Sequence, residues 1–246
     1  MNAIEIKELH KSFGTKEAVK GLNLVIGHHE LFGLLGVNGA GKTTTIRMIC
    51  CLLKPTSGDI LVEGMSVMDN EAQVKKLINL SPQETTVAEW LTVKENLQLM
   101  AGLYGLEPER AASNVERIIK DFNLEEIAGD KAKTLSGGWQ RRLSIAMALV
   151  TEPEILFLDE PTLGLDVIAR RELWETIRKL KSDMTIVLTT HYLEEAEALC
   201  DRIAVMSKGK LMALGTAEEL KAQAGCDNFE DAFVKLAEGK GCEKDV

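Results

Sequence analysis

The sequence predicts an α/β fold with a mostly parallel sheet, and three observations lead to this prediction. First, short apolar runs alternate with helical patterns after residue 150, as in a strand at 154–161, a helix at 169–181 and a strand at 184–191. Second, a glycine-rich loop at residues 36–43 follows an apolar run and leads into a helical pattern. Third, residues 91–150 are mostly helical, which predicts an α-helical lobe inserted into the sheet domain.

The N-terminal part of the chain predicts an antiparallel β lobe. Residues 3–14 alternate between apolar and polar side chains and end at a glycine, which is typical of a strand. Two further strands are expected within residues 18–36, joined by a hairpin turn that exposes His28 and His29. Residues 55–59 contain a proline and a glycine, so we expect them to end the first helix and lead into another strand.

The other segments are predicted by the same patterns. Residues 70–80 predict a helix, or a helix followed by a short strand. Residues 193–200 predict a helix and residues 202–215 a hairpin. The segment 216–246 is acidic, and we expect it to be a short tail with a helix at residues 228–238.

Length and composition place the chain among ordinary globular proteins. It has 246 residues, of which 45% are hydrophobic and 27% charged, so it is long enough to bury a substantial core. We divide it into a main domain and the acidic tail. The parts of this division are the main domain 1–215, with a core at 1–90 and 151–215 and a helical lobe at 91–150, and the tail 216–246.

Charge and cysteine usage exclude several classes of protein. The net charge of −9 argues against broad electrostatic binding of nucleic acid. We expect the five cysteines to be small buried residues in a reducing cytosol, because their spacing fits neither a metal site nor a disulfide framework. They are Cys50, Cys51, Cys200, Cys226 and Cys242. We expect neither a signal peptide nor a membrane-spanning helix, which needs about 20 apolar residues, and hence a soluble chain.

The glycine-rich loop predicts a nucleotide phosphate site. Its sequence, GVNGAGKT, matches the pattern G-x-x-x-x-G-K-[ST] in full and lies between a strand and a helix. Glycines let backbone N–H groups surround phosphate oxygens, Lys42 adds a positive charge, and the Thr43 hydroxyl can ligate Mg²⁺. The alternative is a glycine-rich turn without a ligand. The residues expected to hold phosphate are Gly36, Val37, Asn38, Gly39, Ala40, Gly41, Lys42, Thr43 and Thr44.

Two consecutive carboxylates end the apolar strand ILFLDE at residues 155–160. The carboxyl edge of a parallel sheet is where ligands bind. We expect Asp159 to hold Mg²⁺ through water, and Glu160 to act as the general base that polarises the attacking water. The alternative is an acidic strand end that faces solvent. With the phosphate loop present, the pair predicts a hydrolase.

The order of these motifs resembles that of the ATP-binding-cassette ATPases, and the resemblance covers residues 4–215. Each motif after the first is weak by itself, but six in one order with similar spacing are specific. The motifs are Walker A at 36–43, the Q-loop residue Gln83, the signature at 135–138, Walker B at 155–160, the D-loop residue Asp166 and the switch histidine His191.

The resemblance implies a P-loop NTPase core, with ATP and Mg²⁺ as cofactors and a dimer of cassettes, either homodimer or heterodimer. The signature of one cassette would cover the γ-phosphate that the Walker A loop of the other cassette holds. A hydroxyl and open backbone N–H groups at a helix start suit this role. The signature residues are Leu135, Ser136, Gly137 and Gly138.

The resemblance also implies roles for single residues. Phe13 would stack on adenine, although a core aromatic is the alternative. Gln83 would reach Mg²⁺ and the attacking water and sense the transmembrane partner, whereas by itself it would be a turn residue. His191 would contact the γ-phosphate, whereas an isolated histidine is more often structural. Asp166 would couple the two sites across the dimer.

Trp139 departs from the family pattern, which most often has glutamine at this position. The following run QRRLSIAMAL keeps the family register, so we interpret Trp139 as a substitution and not as an insertion. It is either tolerated variation near the interface or a residue that packs on the opposite nucleotide or partner.

The function predicted on this basis is that of the ATPase subunit of a membrane transporter. ATP binding would close the dimer, hydrolysis would reopen it, and transmembrane permease subunits would convert this motion into transport. The resemblance to bacterial drug- and polysaccharide-efflux cassettes indicates export, with the chain cytoplasmic and peripheral on the inner face of the cell membrane. A cassette acting on nucleic acid or ribosomes is disfavoured, because such relatives join two cassettes or insert coiled coils or zinc modules. A non-hydrolysing regulatory binder would lack Glu160 or His191.

Overall fold

A computed structural model describes residues 2–239. We number its strands and α-helices separately in chain order. The strands are β1 (Ile4–Phe13), β2 (Lys16–Ile26), β3 (Leu31–Leu35), β4 (Ser57–Val62), β5 (Met65–Ser66), β6 (Ile78–Ser81), β7 (Ile155–Asp159), β8 (Thr185–Thr190), β9 (Arg202–Ser207) and β10 (Lys210–Gly215). The α-helices are α1 (Lys42–Ile49), α2 (Glu71–Leu77), α3 (Val93–Leu103), α4 (Pro108–Asp121), α5 (Gly137–Leu149), α6 (Val167–Leu180), α7 (Leu193–Leu199), α8 (Ala217–Ala224) and α9 (Phe229–Ala237).

The strands form two sheets. Strands β2, β1, β4 and β5 pair in that order as an antiparallel sheet. Strands β10, β9, β3, β8, β7 and β6 form a second sheet in which only the edge pair β9–β10 is antiparallel. The predicted antiparallel lobe and mostly parallel sheet are therefore confirmed.

The turn at His28 and His29 is not a hairpin, so that expectation is wrong. Strand β2 lies at the edge of the antiparallel sheet, whereas β3 lies inside the parallel sheet between β9 and β8. The chain therefore crosses from one sheet to the other at this turn. Both histidines are exposed, as predicted, and Nδ1 of His28 lies 3.4 Å from Oε1 of Glu63.

Helices α3, α4 and α5 occupy the segment predicted to be helical. Thr92 begins α3 with a capping box, in which its hydroxyl accepts from the backbone of Glu95 and the Glu95 carboxylate accepts from Thr92. Proline opens α4, where its missing N–H is not needed. Of the two alternatives for residues 70–80, the helix followed by a strand is confirmed by α2 and β6.

The segment after residue 215 shares a core with the parallel sheet. Helices α8 and α9 bury Leu220, Phe229 and Leu236 against Ile203 and Val205 of β9. The helix predicted at residues 228–238 is confirmed by α9, whereas α8 was not predicted. Residues 240–246 of the proposed tail lie outside the described part.

Cys50 is buried, as predicted, whereas Cys51, Cys200 and Cys226 are half-buried and Cys242 lies outside the described residues. Burial raises the pKa of the thiols of Cys50, Cys51 and Cys200 above the ordinary value of 9.0, so these sulfurs stay protonated at neutral pH. Within residues 2–239 we find no helix with the length and apolar character needed to span a bilayer.

Candidate functional site

Three neighbouring parallel strands end at one edge of the second sheet. Strand β8 pairs with β3 on one side, Thr190 opposite Leu35, and with β7 on the other, Thr189 opposite Asp159. The residues that follow these strands are therefore neighbours in space although they are far apart in sequence. They include the glycine-rich loop, Glu160 and His191, which is the juxtaposition that the sequence predicted.

The backbone of the glycine-rich loop requires glycine at three positions, of which Gly39 has φ of 81°. Gly41 precedes α1 with φ of 106°, a conformation that other residues rarely adopt. A Cβ atom on Gly36 would lie 2.4 Å from the carbonyl oxygen of Met206, so only glycine fits there. These constraints bend the chain into a loop that leads directly into the N-terminus of α1, a geometry suited to anions.

Lys42 is almost completely buried beside this loop. Its Nζ donates a hydrogen bond to the carbonyl of Gly36 at 2.6 Å and lies 3.7 Å from Oε1 of Glu160. Burial lowers the pKa of Lys42 below the ordinary value of 10.5, although Glu160 and Asp159 oppose this shift. A bound phosphate would place additional negative charge beside the ammonium group of Lys42.

Asp159 lies in an oxygen-rich environment at the end of β7. Its Oδ1 accepts hydrogen bonds from the hydroxyls of Thr43, at 3.3 Å, and Thr189. Mg²⁺ prefers oxygen ligands and commonly takes one or two from the protein and the rest from phosphate and water. The Thr43 hydroxyl and the Asp159 carboxylate fit this pattern, so these two residues would hold the ion.

Glu160 lies between Lys42 and His191. Its Oε2 lies 2.7 Å from Nδ1 of His191, and its Oε1 is the atom that faces Lys42. Glu160 is only 6% exposed, so the alternative of a carboxylate that faces solvent is excluded. Its φ of 51° is unusual for a residue with a side chain. We call Lys42, Thr43, Asp159, Glu160 and His191 the phosphate cluster.

Phe13 lies next to the glycine-rich loop. Its ring is 51% exposed, which excludes the alternative of a core aromatic. It lines a groove of about 700 Å³ together with Gly39, Gly41 and Thr44. Three lysines of this groove, at positions 16, 20 and 208, give it positive charge. An exposed ring beside a positively charged groove suits a nucleotide base and its phosphates.

The signature residues lie on different elements from the phosphate cluster. Ser136 precedes α5 and accepts a hydrogen bond from the backbone N–H of Trp139 at 3.4 Å, while Gly137 and Gly138 form the first turn. Leu135 is half-buried against the core. A pocket of about 600 Å³, which we call the signature pocket, lies beside this turn and α6. It is lined by residues of α5, of the loop at 164–166 and of α6.

Asp166 also lines the signature pocket and has a structural role there. Its Oδ1 accepts hydrogen bonds from the backbone of Ile168 at 2.9 Å and of Ala169 at 3.0 Å, so Asp166 caps α6. The structure thus places Asp166 beside the signature residues in this pocket. The coupling itself stays a prediction.

Gln83 lies two residues after β6, with its side chain exposed. Its backbone carbonyl accepts a hydrogen bond from Arg141 at 3.3 Å. The predicted contact of its side chain with Mg²⁺ and water stays a prediction.

Trp139 packs within its own chain. Its ring lies against the hydrophobic cluster around α5, and the guanidinium of Arg142 lies 4.6 Å from the ring centroid. Arg142 in turn donates to Glu172 of α6 at 2.8 Å. Trp139 also lines the signature pocket, so both interpretations of the substitution stay predictions.

Sequence reasoning missed three buried polar residues beside the site. Thr189 bonds both Asp159 and the backbone of Glu160. Glu195 of α7 accepts from Thr162 at 2.9 Å and from Trp174 at 3.1 Å. Arg141 donates to several backbone carbonyls. The residue types gave no signal for these positions, since each resembles an ordinary strand or helix residue until its burial is known.

The family model described as ABC transporter matches residues 19–163. The chain belongs to the ABC transporter family. It is 41% identical over 239 residues to the probable multidrug ABC transporter ATP-binding protein YbhF of Escherichia coli (strain K12), an alignment covering 95% of this chain and 41% of that protein. It is 42% identical over 229 residues to the daunorubicin resistance ATP-binding protein DrrA3 of Streptomyces coeruleorubidus, covering 93% and 72%. This ABC chain thus spans less than half the length of the Escherichia coli relative.

Solved structures resemble this ABC chain over most of its length. One, of the ATP-binding subunit of an ABC transporter, has a TM-score of 0.85 and 30% identity and covers 95% of this chain and 99% of that one. The dimeric structure of MJ0796, a bacterial ABC transporter cassette, has a TM-score of 0.77 and 28% identity and covers 87% and 98%. The predicted family and fold are confirmed.

Proposed function

We propose that this chain is the ATP-hydrolysing subunit of an ABC exporter. The observation that carries the proposal is the contact of Glu160 with Lys42 on one side and His191 on the other, at the meeting point of three strand ends. A nucleotide binder without hydrolysis has no need of a buried base aimed at the phosphate loop. Names of relatives that concern multidrug transport and drug resistance support export.

Each residue of the phosphate cluster has its own role in the proposed reaction. Lys42 and the backbone N–H groups of the glycine-rich loop bind the β- and γ-phosphates and stabilise the charge that develops on them. Thr43 and Asp159 would hold Mg²⁺, which would supply positive charge to neutralise the phosphates. Glu160 accepts the proton of the attacking water, and His191 orients Glu160 and contacts the γ-phosphate.

Each chain supplies two different half-sites. The phosphate cluster follows β3, β7 and β8, whereas the signature pocket lies between α5 and α6. We propose that two cassettes associate head to tail, so that Ser136, Gly137 and Gly138 of one cover the γ-phosphate held by the other. The second cassette is another copy of this chain or a related one. The dimeric structure of the MJ0796 cassette supports the association of two cassettes.

The proposed place of the dimer is the cytoplasmic face of the cell membrane, bound to transmembrane permease subunits. Gln83 is exposed next to the site, so a partner can contact it directly. The domain division at residue 215 also remains our proposal, with α8 and α9 packed on β9 and β10 as its C-terminal part.

The test is ATP turnover as a function of protein concentration for the wild type and for Glu160→Gln, with size-exclusion chromatography of the variant in ATP and Mg²⁺. We expect wild-type turnover per chain to rise with concentration, and the variant to lose at least about 100-fold in turnover while forming an ATP-dependent dimer. Glu71→Gln is the matched control, because Glu71 is exposed and pairs with Lys75 at 2.5 Å. Hydrolysis by monomers, or full activity of the Glu160 variant, would overturn the proposal.

A further inference from the structure

Arg141 is a buried cation whose hydrogen-bond partners are backbone carbonyls. It is 3% exposed. Its Nε donates to the carbonyl of Pro161 at 2.8 Å and its Nη2 to that of Asp159 at 2.8 Å. Its Nη1 donates to the carbonyls of Pro82 and Gln83. The planar guanidinium therefore joins two separate chain segments at one point.

The first segment surrounds the proposed general base. Arg141 bonds the carbonyls of the residues immediately before and after Glu160. Glu160 itself has φ of 51°, and its N–H donates to the carbonyl of Thr189 at 3.1 Å. A side-chain-bearing residue keeps this unusual conformation only when its surroundings hold it there. Arg141 and Thr189 are among the groups that hold it, together with the N–H of Leu163, which donates to the Glu160 carbonyl at 3.2 Å.

The second segment carries Gln83. Both segments are also joined to the helix that begins with the signature residues, because Arg141 lies on that helix. Arg141 belongs to α5, whose first turn contains Gly137 and Gly138. A displacement of α5 therefore acts on the backbone around both Glu160 and Gln83 through the hydrogen bonds of one guanidinium group. Three motifs that are distant in sequence are connected by this one residue.

The chemistry of the site requires arginine. Its fork offers five donors in fixed directions, whereas lysine offers one nitrogen on a flexible chain. The carboxylates of Asp159, Glu195 and Glu160 compensate part of the cost of burying the charge, although burial still lowers the pKa of Arg141 to about 10. Arg141 therefore stays charged and keeps all its donors at neutral pH.

We propose that Arg141 is a positioning residue of the ATPase, which holds Glu160 and the Gln83 segment in register with the signature helix. It touches neither the nucleotide nor the water, and it acts through Glu160. This inference rests on the proposed function, because it concerns the base of that reaction. It predicts that loss of the fork slows hydrolysis while ATP binding persists.

The test compares Arg141→Lys with the wild type in kcat and KM for ATP and in hydrogen exchange of the full chain. We expect kcat to fall roughly 10- to 100-fold, since small displacements of a catalytic group have such effects. We expect KM and the affinity for a fluorescent ATP analogue to change less than about twofold. Backbone exchange should accelerate at residues 158–163 and 82–86 and stay unchanged in α1.

Arg178→Lys is the matched control. Arg178 also donates to a backbone carbonyl, that of Ala198 at 2.9 Å, but from an exposed position on α6. We expect this variant to keep wild-type kcat and wild-type exchange. Thermal unfolding checks that each variant is folded.

The possible results separate this proposal from the proposed function. One result is that the wild type hydrolyses ATP, that Glu160→Gln does not, and that Arg141→Lys keeps the wild-type kcat. In that case the positioning role of Arg141 is wrong, and the proposed function stands. If the wild type shows no turnover, the proposed function fails first. Arg141→Gln serves as a second variant that still donates from an amide; if neither variant folds, Arg141 is a folding residue and the positioning proposal is overturned.

Discussion

The Nδ1 atom of His191 lies 2.7 Å from Oε2 of Glu160, which joins the residue after β8 to the residue after β7. Glu160 is buried, whereas the side chain of His191 is 36% exposed and thus accessible to a bound nucleotide. A nucleotide that contacts His191 can therefore affect the position of Glu160, the proposed general base.

His191→Ala removes the group that orients Glu160. We expect turnover to fall roughly 10- to 100-fold, because the carboxylate loses its fixed direction, while ATP affinity changes little. Steady-state kinetics and nucleotide titration measure the two quantities. His28→Ala, which changes an exposed histidine of the β2–β3 turn, should match the wild type. Unchanged turnover of the His191 variant would show that Glu160 needs no such partner.

Gly137→Ala separates a role in the fold from a role at the dimer interface. A Cβ atom on Gly137 meets nothing within 4 Å, and the residue lies in the first turn of α5, so we expect unchanged or slightly higher thermal stability of the monomer. The added methyl group would obstruct the phosphate of the opposite cassette, so ATP-driven dimerisation and turnover should fall. Gly102→Ala in α3, where a Cβ also meets nothing within 4 Å, is the control and should retain both. Normal dimerisation of the Gly137 variant would contradict the signature assignment.

Two substitutions separate the role of Asp166 as the cap of α6 from the role of its negative charge. Asp166→Ala removes the acceptor for two N–H groups of α6, and we expect it to lower the free energy of unfolding by about 1 kcal/mol. Asp166→Asn keeps a capping oxygen and should retain stability in denaturant unfolding. If Asp166 couples the two sites through its charge, the Asn variant loses turnover at normal stability. Wild-type turnover of the Asn variant would limit Asp166 to capping.

Glu195 should make stability depend on pH. It is completely buried, its Oε2 has no hydrogen-bond partner among residues 2–239, and burial raises its pKa above the ordinary value of 4.5. Below pH 4.5 the folded and unfolded chains both hold the proton, so the group costs nothing. As the pH rises above 4.5 the unfolded chain ionises first, so the wild type loses stability until the folded-state pKa is passed.

Glu195→Gln should therefore gain stability relative to the wild type as the pH rises above 4.5, until the folded-state pKa of Glu195 is passed. The amide oxygen can still accept from Thr162 and Trp174, so the change removes the charge and keeps these contacts. Each kcal/mol gained raises Tm by about 2–4 °C in a chain of this size. Glu194→Gln, an exposed neighbour on α7, should show no such trend. A margin independent of pH would contradict the buried charge.

Some elements could be predicted from local pattern alone. The glycine-rich loop requires particular residue types in a fixed order, and β7 is a continuous apolar run that ends in Asp159. Both kinds of signal are contained in a few consecutive residues. The β2–β3 turn illustrates the opposite case, since two strands joined by a short turn have the pattern of a hairpin although they enter different sheets. Pairing partners are set by long-range contacts, which local pattern does not contain.

The sequence by itself determined the family, the α/β class and the identity of Lys42, Asp159, Glu160 and His191 as candidate site residues, because their chemistry depends on residue type and order. Only the tertiary structure placed Glu160 between Lys42 and His191, assigned Asp166 to the cap of α6 and connected Arg141 to the carbonyls around Glu160. Strand order and burial decide which distant side chains and carbonyls meet. These are properties of the whole packed chain.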